Sequence, residues 1–470
     1  MRLWRDAHAT FQNPPVETPS ATRRATEDEQ TMTDRAYRKI VNSWAMYDWA
    51  NSAFMATVVT VMFPYFHRQM ATNAGLSKET ATAYLAYTNA IALLVAAVLS
   101  PVLGAISDHT GGRKRYLGFF LGLGVLATAL MVFLGPTAYL WGALLFILAA
   151  IGFAGAEVFY ESLLPHIAKK GDIDQVSARG YALGYLGGGT LLVLNALWFV
   201  KPCWFGMPDS DSAVRAAFAS VAVWWTVFSI PLFRHVPEPP RVRMTRESLG
   251  AVRAGFGRLA QTMRHVTRYR QLLLFLVAFW IYNDGIGTII KMAFSYGEEM
   301  GIPDKHMALA VIMTQFIGFP CAFGFGRLAR QLGTKPSILV GIGVYVPICI
   351  VGYFMTPAHF YLFYVLAFMV GLVQGGTQAL SRSLYGAMVP RSRTTEFFGF
   401  FSTSSKFAGL FGLLLFGAIG QAKGSSHASI LSVIAFFVVG GLLLALVKEK
   451  EGIRVAGEED AAAVSLEVGQ

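Results

Sequence analysis

Five ionisable side chains lie inside apolar stretches of the chain: Asp48, Glu157, Asp284, Lys291 and Lys406. A charge at the centre of a membrane helix costs about 2.5–3.5 kcal/mol, so each needs a partner or a water-filled cavity. Asp284 and Lys406 fall within about two turns of the midplanes of their own helices, and Asn283 and the run Ser402, Thr403, Ser404, Ser405 add polar atoms nearby. Asp284 could titrate, or Lys406 could be released from an ion pair with it to take a substrate carboxylate; the plain alternative is a static buried salt bridge. Asp48 is the first-half counterpart of Asp284, with Asn51 and Ser52 within a turn. That set could line the inner half of a cavity, or Asp48 could be an interfacial carboxylate capped by a neighbouring helix or a headgroup. Glu157 and Glu161 share a helix face at i, i+4. Glu157 is the deeper and, desolvated, could carry a proton, against a hydrogen-bonded structural role. Glu161 reads as a surface residue, and Lys291 reads as snorkelling outward.

The elements that must position these groups follow from composition. Of 470 residues, 54% are hydrophobic and only 14% are charged, where a soluble protein carries roughly 25% charged residues. The mean hydropathy is +0.48. A disordered chain is excluded, and a soluble multidomain enzyme is argued against; no nucleophile–base set or cofactor motif is present. The 47 Gly, 36 Phe and 9 Trp suit helices packed closely in lipid and anchored at its interfaces. A span needs about 20 mostly apolar residues. On that basis twelve are predicted, near 43–66, 82–106, 116–134, 138–162, 181–200, 214–233, 271–295, 307–328, 336–356, 358–386, 397–420 and 428–447.

The predicted fold class is an all-α integral membrane protein. Residues 1–41 read as a polar cytoplasmic tail, 42–233 as one six-helix bundle, 234–270 as a basic cytoplasmic linker with Pro237, Pro239 and Pro240, 271–447 as a second six-helix bundle, and 448–470 as a charged, disordered cytoplasmic tail. With both termini inside, the tails and inside loops are assigned 31 Lys and Arg and the outside loops six. That bias sets the orientation. The net charge of +11 then reflects topology and contact with anionic lipid rather than nucleic acid. No early apolar segment reads as a signal peptide, and Met32 is an alternative start. Cys203, Cys321 and Cys349 and the nine histidines lack ligand spacing, so neither a metal nor a cofactor is expected. Gly184 and Gly187 to Gly189 read as close helix packing, since no strand precedes them as a phosphate loop would require.

An internal repeat is visible. Trp44-Ala-Met-Tyr-Asp48 matches Trp280-Ile-Tyr-Asn-Asp284, and Gly104-Ala-Ile-Ser-Asp108-His-Thr-Gly111-Gly-Arg113-Lys114 matches Gly326-Arg-Leu-Ala-Arg330-Gln-Leu-Gly333-Thr-Lys335. The first loop resembles the signature loop between spans two and three of the major facilitator superfamily, and the second its degraded copy. Trp44 to Phe54, Gly180 to Gly189, Tyr282 to Gly285, Gly375 to Ser383 and Glu396 to Gly399 resemble the branch that contains the autophagy-related vacuolar amino-acid effluxers and their bacterial relatives. The resemblance spans about 42–447. It implies twelve helices in two pseudo-symmetric bundles, alternating access, and efflux of amino acids.

The loop residues Gly104, Asp108, Gly111, Arg113 and Lys114 are expected to act as a gate, with Asp108 accepting from a cytoplasmic helix N-terminus in one access state. Gly112 occupies a slot that is usually basic, Arg330 replaces the acid of the second copy, span four lacks the arginine of proton-coupled antiporters, and span five lacks proline. These departures weigh against a multidrug carrier. The expected function is secondary transport of a small polar solute, such as neutral amino acids, across a bacterial inner membrane, with protons as a coupling partner through Asp284, Glu157 or Asp48. The alternatives are a drug or metabolite efflux carrier and a non-transporting membrane receptor or scaffold.

Overall fold

The structure, a computed structural model, describes residues 19–169, 171–239, 269–406, 410–423 and 426–468. Most of the basic linker expected at 234–270 lies outside the described residues, as do residues 1–18. Lipid offers backbone groups no water, so a long apolar stretch must satisfy its own hydrogen bonds, and a helix does so within one segment. The first half comprises α1 (Pro19–Ala53), a π-helical continuation (Phe54–Met62), α2 (Phe63–Asn73), α3 (Lys78–Thr110), α4 (Arg113–Leu130), α5 (Tyr139–Ser162), the single turn α6 (Leu164–Ile167), α7 (Ile173–Val200) and α8 (Ser210–His235). The second comprises α9 (Arg270–Glu299), α10 (Asp304–Leu332), α11 (Thr334–Tyr353), α12 (Leu362–Met388), α13 (Thr394–Lys406), α14 (Leu410–Lys423), α15 (Ser426–Leu446) and α16 (Glu449–Val468).

Among the described residues, eleven helical stretches are long and apolar enough to cross a membrane. The stretch predicted at 43–66 is helical but is not one of them. Asp48, Asn51 and Ser52 dilute its apolar residues, and the π-helical segment divides it. The segment predicted at 397–420 overlaps the single apolar stretch Arg391–Phe416; its described parts are α13 and α14, and residues 407–409 lie outside the described residues.

Each half has its own apolar core, one drawn from Val41 to Val236 and the other from Tyr269 to Val447. Small residues let the helices approach. The run in α7 packs as expected: a Cβ on Gly187 would lie 2.5 Å from the Trp49 carbonyl oxygen of α1. Between the halves, α3 meets α13 through glycines on both sides. A Cβ on Gly104 would lie 2.3 Å from the Thr395 carbonyl, and one on Gly399 would lie 2.6 Å from that of Ser100.

The internal repeat appears as repeated geometry. Gly111 and Gly333 both take positive φ, 71° and 93°, which a residue with a side chain rarely adopts. Lys114 Nζ donates to the carbonyls of Phe233 and Val236 at 2.8 and 2.7 Å, closing the end of α8. Lys335 Nζ donates to those of Ala445 and Val447 at 3.1 and 3.0 Å, closing the end of α15. Both lysines satisfy carbonyls that a helix end leaves unpaired.

The tail expected to be disordered is instead the helix α16, docked on the second half. Gln271 Nε2 donates to Glu451 at 3.1 Å, Arg393 pairs with Glu459 at 3.3 Å, and Tyr269 also donates to Glu459. Charge composition alone hides the reason. Gly452, Val455, Ala456 and Glu459 follow helical spacing and share a face. Gly452 sits against Met388, and Val455 packs on the second core.

Candidate functional site

A cavity of about 490 Å³ lies between the halves. Asp48, Asn51, Glu157, Glu161, Gln378 and Arg382 line one end, and Met307, Leu366 and Phe363 lie towards the other. Met55, Ala56 and Thr60 of the π-helical segment also face it; the irregular turn widens the helix where it borders the cavity.

Arg382 of α12 is 2% exposed and reaches across into the first half. Its Nη2 lies 3.2 Å from Asp48 Oδ2, and its Nη1 lies 3.9 Å from Glu161 Oε1. Nε donates to Ser177 Oγ and Nη2 to the Ser177 carbonyl, both at 3.0 Å. The guanidinium sits over the rings of Tyr181, Trp44 and Tyr160 at 4.4, 5.0 and 5.8 Å. A buried guanidinium is tolerated only where charges and rings replace its water. The Tyr160 hydroxyl completes the arrangement by donating to Asp48 Oδ2 at 2.8 Å.

Sequence reasoning missed this centre. Arg382 falls inside the apolar run predicted at 358–386 but is not among the five ionisable groups singled out there, and Glu161 reads from the sequence as a surface residue. Glu161 is 4% exposed, with its carboxylate 3.9 Å from the Arg382 guanidinium of α12. An arginine within an apolar run was the available signal.

The expected pairing of Asp284 with Lys406 is not the one formed. Asp284 accepts from the backbone N–H groups of Phe411 and Gly412 of α14. Lys406 turns to the first half, 3.8 Å from Glu157 Oε2, and also donates to Ser402 Oγ. Of the predicted set, Asp48, Asn51 and Glu157 line the cavity, whereas Asn283 and Asp284 are buried among α9 and its neighbours and are not lining residues. Lys291 is exposed on α9.

At the end of the molecule that carries both terminal helices, the halves are joined. Asp108 Oδ2 accepts from Glu396 N–H at 2.8 Å, and its Oδ1 accepts from Thr395 N–H at 3.3 Å, so it receives the N-terminus of α13. Arg113 Nη2 pairs with Asp108 at 2.8 Å, and its Nε donates to Thr395 Oγ1 at 2.8 Å. Lys114 belongs to the closure of α8 and makes no such bridge in this arrangement. The second copy reaches its own junction by a different route. Asp174, in the first turn of α7, accepts from Thr334 Oγ1 at 2.7 Å and from Ser383 Oγ, and Arg330 donates to Gln175.

Two helical halves of matching loop geometry, closed at one end around a charged central cavity, define the fold of the major facilitator transporters. The proton:xylose symporter XylE shares it with a TM-score of 0.69 at 15% identity, covering 89% of this chain and 97% of that one. The chain belongs to the family described as vacuole effluxer Atg22 like, whose model matches residues 36–173 and 169–457. An uncharacterized MFS-type transporter of Bacillus subtilis, YxiO, is 38% identical over 427 residues, which is 91% of this chain and 99% of that protein. Autophagy-related protein 22 of Eremothecium gossypii is 24% identical over 470 residues, 88% of this chain and 92% of that protein. The chain is thus a multi-pass integral membrane protein of the major facilitator superfamily.

Proposed function

We propose that this protein is a secondary carrier that moves a small amphipathic zwitterion, such as a neutral amino acid, by alternating access, with protons as the coupled ion. The observation that carries this reading is the division of the cavity. Its closed end presents the Glu157 carboxylate, backed by Lys406 at 3.8 Å, while residues such as Met307 and Phe363 make the other end apolar. A zwitterion can exchange into that pair, its ammonium on Glu157 and its carboxylate on Lys406, with an apolar side chain along the apolar wall. A cavity of roughly 300–1,000 Å³ suits such a ligand. The family description, vacuole effluxer, supports a carrier over an enzyme or a scaffold.

In this reading the helical run through 43–66 is the twelfth span, residues 42–233 and 271–447 are the two rocking bundles, and both termini are cytoplasmic. The state described is then closed to the cytoplasm by the junctions at Asp108 and Asp174. Exchange of a labelled neutral amino-acid mixture in proteoliposomes, with and without a pH gradient, tests the proposal. Exchange is expected in the parent protein and is expected to fall at least tenfold in Glu157→Gln and Lys406→Met. A broad drug profile with no amino-acid exchange would move the reading to efflux of drugs or metabolites. Signalling that persists in both variants without exchange would move it to a receptor.

A further inference from the structure

At the end that carries both terminal helices, each nitrogen of Arg113 has its own partner. Nη2 pairs with Asp108 on α3, Nε donates to Thr395 on α13, and Nη1 lies 2.9 Å from Nε2 of His166 in the turn α6. The same Nε2 lies 3.0 Å from Thr394 Oγ1 at the start of α13. A guanidinium carries donors and no acceptor. His166 Nε2 must therefore present its lone pair to Arg113, which leaves the ring neutral with its proton on Nδ1. A protonated ring could still donate to Thr394, but it would set a second cation against Arg113. The charges that act on His166 are Arg113 and Arg391, both cations. Carboxylates on the elements around it have other partners. Asp108 holds Arg113 and the start of α13, Glu161 of α5 faces Arg382, Asp172 accepts from Tyr37, and Asp174 of α7 accepts from Thr334 and Ser383. Glu396 of α13 is buried and acts on Tyr385, and the nearby Lys169 pairs with Asp34.

We propose that His166 is a pH sensor built into the junction between the halves: the closed junction accepts only the neutral imidazole, and a proton on Nε2 releases it. Histidine suits this task because its charge changes near neutral pH. His166 and Arg113 stand on the same half, so opening does not part their helices. It removes Thr394 and Thr395, which pin the two side chains, and it admits water between them. The side chains can then turn apart, and the open state takes the proton that the closed state refuses. That proton comes from water and bonds to Nε2; no other covalent bond changes. The proposal rests on the alternating-access reading, and neither the cavity charges nor the solute enters it. Linkage gives the sign. The open state binds one more proton, so acid favours opening. The closed junction keeps its full stability above the ordinary imidazole pKa of about 6.5 and loses it below. The opening equilibrium should therefore rise about tenfold between pH 7.5 and 5.5.

The test needs no solute. Ser383 is buried and donates to Asp174 across the second junction. With Cys203, Cys321 and Cys349 replaced by alanine, Ser383→Cys reports opening through its maleimide alkylation rate in lipid nanodiscs, normalised at each pH to the unfolded chain. The normalised rate is expected to rise about tenfold from pH 7.5 to 5.5. His166→Gln offers Arg113 a neutral acceptor that does not titrate, and it should hold the rate at the parent's high-pH value throughout. His166→Lys places a permanent cation there, and it should give a high rate at every pH. If one variant does not survive purification, the other decides, since both must lose the slope and each sets a different level. Asp108→Ala breaks the junction itself and should raise the rate whatever the pH. Three results would each overturn the sensor: no slope in the parent while Asp108→Ala opens, a slope that persists in His166→Gln, or a rate in His166→Lys as low as the parent's at pH 7.5. No alkylation in any variant, Asp108→Ala included, would overturn alternating access and the sensor with it.

Discussion

At Gly180 a Cβ would lie 2.3 Å from Asp48 Oδ2 and 2.8 Å from Arg382 Nη2. The bare backbone of α7 is what lets a carboxylate and a guanidinium from opposite halves meet beside it. Gly180→Ala should therefore push Asp48 off Arg382 and abolish exchange. The overpacking should lower stability by about 1–3 kcal/mol, read as a fall in melting temperature of the purified protein. Wild-type exchange with an unchanged melting temperature would remove Gly180 from this role. The same scale shows why the site was only partly legible. Asp48, Asn51 and Glu157 were found because a carboxylate or amide in an apolar run is conspicuous and demands water or a partner. The partner itself cannot be chosen from one helix, since Asp284 meets the backbone of α14 while Lys406 meets α5.

Helix termini do much of the joining between elements. Asp108 holds the start of α13, Lys114 and Lys335 close the ends of α8 and α15, and Asp174 ties the start of α7 to Thr334 and Ser383. The helix α16 adds a clamp on the segment that begins α13: Arg393 pairs with Glu459, and Asp460 accepts from Ser392 N–H at 3.4 Å. Burial raises the carboxyl pKa of Asp460 and of Glu449 above the ordinary range. The docked helix thus favours their protonated forms, and ionisation works against docking. Docking should be firmest in mild acid and weaken as pH rises through the raised carboxyl range. Amide exchange over 449–468, corrected for the intrinsic pH dependence of exchange, checks this, and protection that rises with pH would contradict it. The spacing of Gly452, Val455 and Ala456 was available in the sequence, but a short amphipathic helix with a high charge content has no stable partner until the face of α12 exists.

For the whole molecule, the proposed orientation rests on the bias of Lys and Arg to the tails and to the loops of one side, 30 against six once Arg382 is counted with its helix. Tags placed at either terminus should be shielded from protease in intact cells, whereas a tag inserted at 201–209 should be cleaved; cleavage at the termini would reverse the orientation. What the sequence determined by itself is what depends on local composition and on near neighbours along the chain. Helices form because apolar stretches in lipid must satisfy their own backbone. The repeat shows because duplicated loops keep glycines where φ is positive. Tertiary structure decided which charges meet. It brought Arg382 to Asp48 and Glu161, gave Lys406 to Glu157, and set Asp284 against the backbone of α14. A buried charge takes whichever partner lies within a few ångströms, and that distance is set by how the helices of two halves pack, information that no single helix carries.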